Sequence, residues 1–303
     1  MGLWSVRARG KNIFMTKPCI WHNGSFVSSE GHLLAHALHY GSGVFEGIRC
    51  YDTPHGPMIF RLHEHMERMA QGAHVLGLRF NVEATTKACV EVIRTSGFRE
   101  AYLRPIAFFG TGGLTLDVDH SQVDVAVAAL AWSSHLGERA ASQGISARVS
   151  PWRRNAHDTI PPLKLTGAYV NSIIAKREAK QAGFDEALFV DAQGFVCEAT
   201  GENVFAVFGK EVVAVEHPDA LPGITRASVV ELSSATSKRL ALADLLSADE
   251  VFVTGTSAEV TPVRQIDTKT FDVGPVTREL QQLYRSCVKG TERSRAAWLT
   301  LCS

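Results

Sequence analysis

The chain lacks paired cysteines, an excess of either charge, and any apolar run long enough to cross a bilayer. Its six cysteines (Cys19, Cys50, Cys89, Cys197, Cys287 and Cys302) are scattered through 303 residues with no Cys-x-x-Cys spacing. That excludes a dense disulfide framework and fits a reducing, cytoplasmic setting. Lys plus Arg and Asp plus Glu both number 31, so no net field would draw the protein to nucleic acid or to an anionic membrane. The most apolar stretch, residues 123–132, is far shorter than the ~20 residues of a membrane span and carries Asp124. Residues 1–11 are basic but have no apolar core of a secretory signal, and residues 1–17 are read as an N-terminal extension. No repeat or low-complexity tract is present. His32, His36 and His39 share a helical face, but no carboxylate or cysteine completes a ligand set, so no metal is expected. What these absences leave is a protein that handles small polar molecules.

A chain of this length buries roughly three quarters of its unfolded surface and has room for one large or two medium domains. Asn23-Gly24 between residues 19–22 and 25–27 predicts a tight hairpin, since both positions accept positive φ. Leu62, Met66, Met69, Ala73 and Leu76 recur at helical spacing, and residues 85–95 read as a second helix that stops near Gly97. Residues 101–109 and 123–132 are apolar enough for two central strands that could pair, with Gly110, Gly112 and Gly113 in the turn between them. The small, polar, glycine-bounded segment 137–144 reads as an interdomain linker between a domain at 18–136 and a larger one at 145–303. Beyond it come a strand at 146–150, a helix at 168–182, strands at 186–190, 195–198, 203–207 and 212–215, a helix over 226–240, and a strand at 250–253. Helices and antiparallel-looking strands without regular βαβ alternation predict an α+β fold.

The chemistry centres on Lys164, which leaves the stiff Pro161-Pro162 segment and precedes Tyr169 by five residues. A free lysine has a pKa near ~10.4, so only about one in a few thousand carries a nucleophilic amine at neutral pH. A Schiff base with pyridoxal phosphate removes that handicap. Alone, Lys164 reads more simply as a solvated loop lysine. Pro222-Gly223-Ile224-Thr225 opens a helix and can offer amides and a hydroxyl to a phosphate, or be an ordinary N-terminus. The turn 255–259 is a second donor-rich segment, or a capping box built from Thr256 and Glu259. Glu198 follows a strand with apolar neighbours, where a carboxylate could keep a pyridine nitrogen protonated or could form a salt bridge. Tyr102 and Arg104 lie two apart, hence on one face of a strand, and could grip a carboxylate or pair with an internal acid.

Five blocks, in this order and spacing, resemble the branched-chain amino acid aminotransferases, pyridoxal phosphate enzymes of fold type IV. They are residues 39–49 (HYGSGVFEGIR), 102–105 (YLRP), Glu198 with 201–203 (GEN), 221–226 (LPGITR) and 255–262 (GTSAEVTP), and the resemblance runs from about residue 18 to 290. It implies a two-domain fold of the D-amino acid aminotransferase type, with the active site between the domains. By that resemblance Lys164 would bind the cofactor covalently and shuttle the proton, Glu198 would face the pyridinium nitrogen, and Tyr169 would contact the ring oxygen. Arg61, Ile224, Thr225 and Thr256 would hold the phosphate. Tyr102 and the amides of Thr256 and Ser257, beside Ala258, would take the substrate α-carboxylate. Tyr40, Phe45, Trp132 and Tyr169 would wall the side-chain pocket, joined by Leu114 and Leu116 of a neighbouring subunit, which implies at least a homodimer.

The implied reaction is ping-pong transfer of the amino group of L-leucine, L-isoleucine or L-valine to 2-oxoglutarate. Arg104, Tyr40 and the position of His135 would let one pocket take both an aliphatic chain and a carboxylate. His135 stands where many relatives have tyrosine, Asp158 where asparagine is common, and the segment 233–248 is a few residues short. Transaminases of the same fold acting on D-amino acids or R-amines share the lysine and glutamate, and a silent cofactor-binding homologue is a further alternative. Tyr102-x-Arg104 and the run Val44 to Arg49 favour the L-branched-chain branch.

Overall fold

The computed structural model describes residues 5–8, 11–14, 19–27, 34–131 and 137–302. Two large sheets dominate them, and a short ribbon pairs Ser5–Ala8 with Lys11–Phe14. The first sheet runs Leu299–Leu301, Gly56–Phe60, Ile48–Thr53, Ala101–Phe109, Val123–Ala131, Cys19–His22, Ser25–Val27, with Gly43–Phe45 also paired to Ala101–Phe109. The hairpin turn is as expected, with Asn23 and Gly24 at φ of 45° and 93°. Ala101–Phe109 and Val123–Ala131 pair along their whole length, from Ala101 opposite Ala131 to Phe109 opposite Val123. The helices Leu62–Leu76 and Val82–Ser96 pack their apolar stripes on this sheet, burying Met66, Met69, Val92 and Ile93 against Ile48 and Leu103. Asn81 caps the second helix by accepting from the Ala84 amide at 2.9 Å, and left-handed Gly97 ends it.

The second sheet is mixed. Its order is Val196–Ala199, Glu186–Val190, Ile145–Val149, Glu259–Ile266, Glu250–Gly255, Asn203–Phe208, Glu211–Val215, Thr236–Lys238, with Lys269–Thr270 beside Glu259–Ile266. Ile145–Val149 runs parallel to both neighbours, so the antiparallel character expected for this half is only partial. The helix expected over 226–240 is Ile224–Ser233. Ser234 enters the left-handed region at φ 53°, and Thr236–Lys238 becomes a parallel edge strand on Glu211–Val215. Serine and threonine are poor helix formers, and an open sheet edge competes for their backbone groups. Thr256 and Glu259 do not cap a helix. They lie at the turn joining Glu250–Gly255 to Glu259–Ile266, with Glu259 at φ 55°. Residues 137–144, expected as the interdomain linker, form a helix, Gly137–Gln143, ended at left-handed Gly144.

A shared aromatic core joins the two sheets. Phe60 of the first sheet makes edge contacts with Tyr51, Tyr284 and Trp298 at centroid distances of 6.3, 5.6 and 5.9 Å. The same cluster takes in stacked Phe205 and Phe252 of the second sheet and Leu280 of the helix Pro275–Val288. That helix begins with proline, and its Val276 and Thr277 amides donate to the buried Glu250 carboxylate at 3.1 and 2.8 Å. Each aromatic pair adds about 0.5–1.5 kcal/mol beyond area burial. The two halves are thereby clamped around the cleft that lies between them.

Candidate active site

Lys164 is delivered by a segment stitched to the Gly41–Phe45 stretch. Leu163 and Leu165 amides donate to the carbonyls two residues earlier at 2.7 and 2.8 Å, a tightly coiled path that the prolines favour. Phe45 donates its amide to the Lys164 carbonyl at 3.2 Å, Gly167 donates to Gly41 at 3.0 Å, and the Thr166 hydroxyl bonds the Gly41 carbonyl at 2.5 Å. Such close approach requires glycine at position 41, where a Cβ would stand 2.6 Å from the Gly167 Cα. The result fixes the lysine side chain. Its Nζ donates to the Tyr169 hydroxyl at 2.7 Å and sits 4.9 and 5.0 Å from the Phe45 and Tyr169 ring centroids.

Lys164, Tyr169, Glu198, Ile224, Thr225 and Thr256 line one cleft with about 430 Å³ of empty volume, so the structure brings together six of the residues expected to bind the cofactor. Glu198 is buried and accepts from Arg154 Nε at 2.7 Å, the Leu221 amide at 3.0 Å and Asn203 Nδ2 at 3.3 Å. Burial pushes its carboxyl above the usual range, while the Arg154 guanidinium, the Leu221 amide and Lys164 pull it back. A carboxylate has about four acceptor positions and three are used, which leaves one on Oε1 for a further donor.

Arg61 is placed elsewhere. It precedes the helix Leu62–Leu76 at φ 50°, its guanidinium reaches Glu231 at 2.7 Å and Glu64 at 3.1 Å and stacks 4.0 Å over Trp298, and it does not line the cleft. Arg68, two helical turns further on, does line the cleft, as does Arg154. Arg68 Nε and Nη2 form a fork with Glu46 at 2.7 and 2.8 Å, and Nη1 donates to the Pro222 carbonyl at 2.9 Å, next to the N-terminus of the helix Ile224–Ser233. Glu46 also contacts His65 Nδ1 at 2.7 Å. The two neighbours hold the Glu46 carboxyl well below the usual carboxylate range despite complete burial, and burial in turn pushes the His65 imidazole down. The signal for Arg68 was Glu46 itself: an acid within Val44-Phe45-Glu46-Gly47-Ile48 needs a buried cation from a neighbouring helix. Arg154, also missed, had no comparable cue, because 152–156 reads as loop.

On the substrate side, Arg104 Nη2 donates to the Tyr102 hydroxyl at 3.1 Å, so the two residues do share a face. The Arg104 guanidinium lies 4.8 Å from the Phe45 ring centroid, and Phe45 meets Tyr169 edge-on at 5.0 Å. Gly47 must be glycine here, since a Cβ would fall 1.9 Å from the Tyr102 oxygen. Tyr40 donates its hydroxyl to the Leu114 carbonyl at 2.7 Å, while Leu114 and Leu116 are exposed on the glycine-rich loop. Ser257 and Ala258 continue the turn from Thr256 without lining the cleft. Trp132 and His135 lie outside the described residues.

Pyridoxal phosphate fits this set. Arg154 Nη1 and Thr254 Oγ1 line the cleft, buried with no hydrogen-bond partner among the described residues, and each asks for an acceptor or donor from a ligand. The N-terminus of the helix Ile224–Ser233, Arg68 and Thr256 line the same cleft as Glu198 and offer donors suited to an anion.

Comparison with known proteins agrees. Residues 43–266 match the amino-transferase class IV family. The chain is similar to the branched-chain-amino-acid aminotransferase of Pseudomonas aeruginosa, 38% identical over 296 residues, 93% of this chain and 96% of that protein. Among solved structures it is similar to the T.th. branched-chain amino acid aminotransferase with pyridoxamine 5'-phosphate, at TM-score 0.91 and 41% identity, covering 95% of this chain and 100% of that one. The same T.th. enzyme complexed with N-(5'-phosphopyridoxyl)-L-glutamate gives TM-score 0.89 and 40% identity, covering 95% and 100%. With its lysine, glutamate and anion-suited donors in one cleft of a fold type IV scaffold, the chain belongs to the pyridoxal-phosphate-dependent class IV aminotransferases, in the branched-chain-amino-acid aminotransferase family.

Proposed function

We infer that this chain moves the α-amino group of L-leucine, L-isoleucine or L-valine to 2-oxoglutarate in two half-reactions through one pocket. The observation that carries this reading is the Phe45 ring, which has the Lys164 amine 4.9 Å from its centroid and the Arg104 guanidinium 4.8 Å from it. An apolar surface for an aliphatic chain and a permanent cation for a distal carboxylate thus share one wall. Bound pyridoxal phosphate supplies the electron sink that makes the substrate Cα acidic. Lys164 Nζ, held by Tyr169, takes and returns the Cα proton. Glu198 holds a proton at the pyridine nitrogen, and the Arg154 guanidinium favours the charged form of Glu198 against the opposing effect of burial. Arg68, the Ile224 and Thr225 amides and Thr256 hold the phosphate, a role transferred here from Arg61 to Arg68. Tyr102 and the turn at Thr256–Ser257 orient the α-carboxylate, with Ala258 beside them. The similarity to an enzyme complexed with a phosphopyridoxyl-glutamate adduct supports glutamate as one partner of the exchange.

The remaining assignments rest on the sequence. Trp132 and His135 complete the pocket, Leu114 and Leu116 reach a neighbour's site in a homodimer or larger assembly, and the protein works in the cytoplasm. The described residues contain no helix long and apolar enough to cross a membrane. An activity matrix of L- and D-amino acids and R-amines against 2-oxoglutarate and pyruvate tests the reading. Turnover is expected to be highest for L-leucine, L-isoleucine and L-valine with 2-oxoglutarate. A preference for D-alanine or an R-amine would move the chain to another branch of the fold.

A further inference from the structure

The grip on the substrate α-carboxylate draws on two sheets, Tyr102 from one and the turn at Thr256 from the other, and a residue between them breaks a local rule. The turn 256–258 joins the strands Glu250–Gly255 and Glu259–Ile266, and it closes where Gly255 stands opposite Glu259. Glu259 is left-handed at φ 55°. Short hairpin loops place glycine in that region, or asparagine or aspartate, because other L side chains crowd the backbone there. Asn23 and Asp267 follow that habit, whereas Glu259 departs from it, as do Arg61 and Ser234. A long acidic side chain held against its backbone preference needs an interaction elsewhere that over-determines it.

That interaction comes from the first sheet. The Tyr51 hydroxyl donates to Glu259 Oε1 at 2.8 Å, and Arg49 Nη1 forms an ion pair with the same oxygen at 3.5 Å. Both donors are buried, and the Arg49 guanidinium lies 4.7 Å from the Tyr51 ring centroid. They sit two apart on the strand Ile48–Thr53, hence on one face. From there the contacts run two ways. Arg49 stands directly opposite Tyr102 on the strand Ala101–Phe109, and the Tyr51 ring belongs to the same aromatic core as Val260, the residue after Glu259. Inside the turn, the Thr261 hydroxyl donates to the Ala258 carbonyl at 2.6 Å. Glu259 therefore fastens the turn that carries Thr256 to the strand beside Tyr102.

We propose that Glu259 is a positioning residue: bonded by Tyr51 and Arg49, its carboxylate holds the turn 256–258 in place relative to Tyr102, and so sets how well Thr256 and the Ser257 amide meet the cofactor phosphate and the substrate α-carboxylate. The proposal rests on the reading that this turn serves those two anions. Glu259 does not itself line the cleft, so it acts through the turn. Backbone preference and the cross-sheet contact pull opposite ways at this position. Glycine would relax the left-handed conformation but leave the turn unfastened, whereas glutamate accepts the strain and keeps the fastening. Removing the side chain is therefore expected to harm binding more than folding, the reverse of what a purely structural contact would show.

The test compares wild type with Glu259→Gly, Glu259→Gln, Tyr51→Phe and the double variant Tyr51→Phe/Glu259→Gly, each as holoenzyme and cofactor-free. Glu259→Gly should fold, since glycine is at ease with positive φ. Its cofactor dissociation constant, read by absorbance, should rise about tenfold, the weight of one hydrogen bond to a charged group. KM for L-leucine should rise by about tenfold as well, with kcat changed by less than about threefold, because binding is weakened and Lys164 is untouched. In the cofactor-free proteins, the amides of residues 255–258 should exchange hydrogen faster in Glu259→Gly and in Tyr51→Phe than in wild type, while the unfolding midpoint of Glu259→Gly shifts little. Glu259→Gln keeps an acceptor for Tyr51 and should recover most of the affinity. The double variant should bind no more weakly than Glu259→Gly, because Tyr51 has then already lost its partner. Wild-type cofactor affinity in Glu259→Gly, unchanged exchange at 255–258, or additive losses in the double variant would overturn the proposal. The exchange and cofactor measurements need no substrate, so a wild type inactive on L-leucine would count against the substrate assignment alone.

Discussion

At the scale of single residues, the Lys164 amine and the Arg104 guanidinium approach one aromatic ring, and their roles separate by mutation. Lys164→Ala removes both the covalent anchor and the proton carrier, so turnover is expected to fall by about four or more orders of magnitude, since a nucleophile and a base are lost together. Borohydride reduction followed by intact mass measurement should show a cofactor-sized increment on wild type and none on the variant. Near-normal turnover in Lys164→Ala would remove it from the reaction. Arg104→Leu should damage the 2-oxoglutarate half-reaction by about tenfold or more and the leucine half-reaction far less, because an unpaired carboxylate in an apolar pocket is costly whereas an isobutyl chain needs no cation. Single-turnover absorbance resolves the two halves, and equal losses would show that Arg104 merely supports Tyr102 through their 3.1 Å bond. Lys164, Glu198 and Thr225 were legible in the sequence because each sits in a short local pattern whose chemistry needs that residue type. Arg68 and Arg154 were not, since their value comes from Glu46 and Glu198, 22 and 44 positions away in the chain.

Elements were readable where periodicity or turn chemistry is strong and unreadable where an edge decides. The helices Leu62–Leu76 and Val82–Ser96 announce themselves through apolar stripes and terminal glycines. The helix after Gly223 was read too long because nothing local says that residues 236–238 find a sheet edge beside Val213–Val215. The link from element to site is sharpest at Gly41, which ends the short helix His36–Tyr40 at φ 65° and touches the turn that follows Lys164. Gly77 has nearly the same conformation, φ 70°, with open space around it. Gly77→Ala should therefore cost only the left-handed backbone penalty, about 1–2 kcal/mol. Gly41→Ala must also push the Gly167 backbone away, so it should lower the melting temperature more and weaken cofactor retention, which Gly77→Ala should leave alone. Thermal melts and cofactor absorbance after dialysis make the comparison. Equal effects of the two substitutions would mean that the 41–45 stretch and the lysine segment yield without cost.

For the whole molecule, two sheets share an aromatic core through Phe60, and the strand Leu299–Leu301 returns from the second half to pair with Gly56–Phe60 of the first. Sequence patterns could not show that return, because a three-residue edge strand has no periodicity of its own. They did place Leu114 and Leu116 on a glycine-rich loop, and the loop explains why assembly and activity should be coupled. His36 Nε2 contacts the Thr115 carbonyl at 2.9 Å and Tyr40 bonds the Leu114 carbonyl, so the loop backbone is fastened to its own protomer while Leu116 stands 82% exposed. A fastened loop with an outward leucine suits insertion into a second copy, where full burial of that side chain would contribute about 1.5–3 kcal/mol. Leu116→Asp should replace that gain with the cost of a desolvated charge. The assembly should then dissociate at lower dilution in sedimentation, and kcat/KM for leucine should fall, with the loss growing as enzyme concentration is reduced. The cofactor absorbance should persist, because none of the cleft-lining residues is touched. An unchanged sedimentation profile with unchanged kcat/KM would confine the leucine to its own surface and leave the pocket to be completed within a single chain.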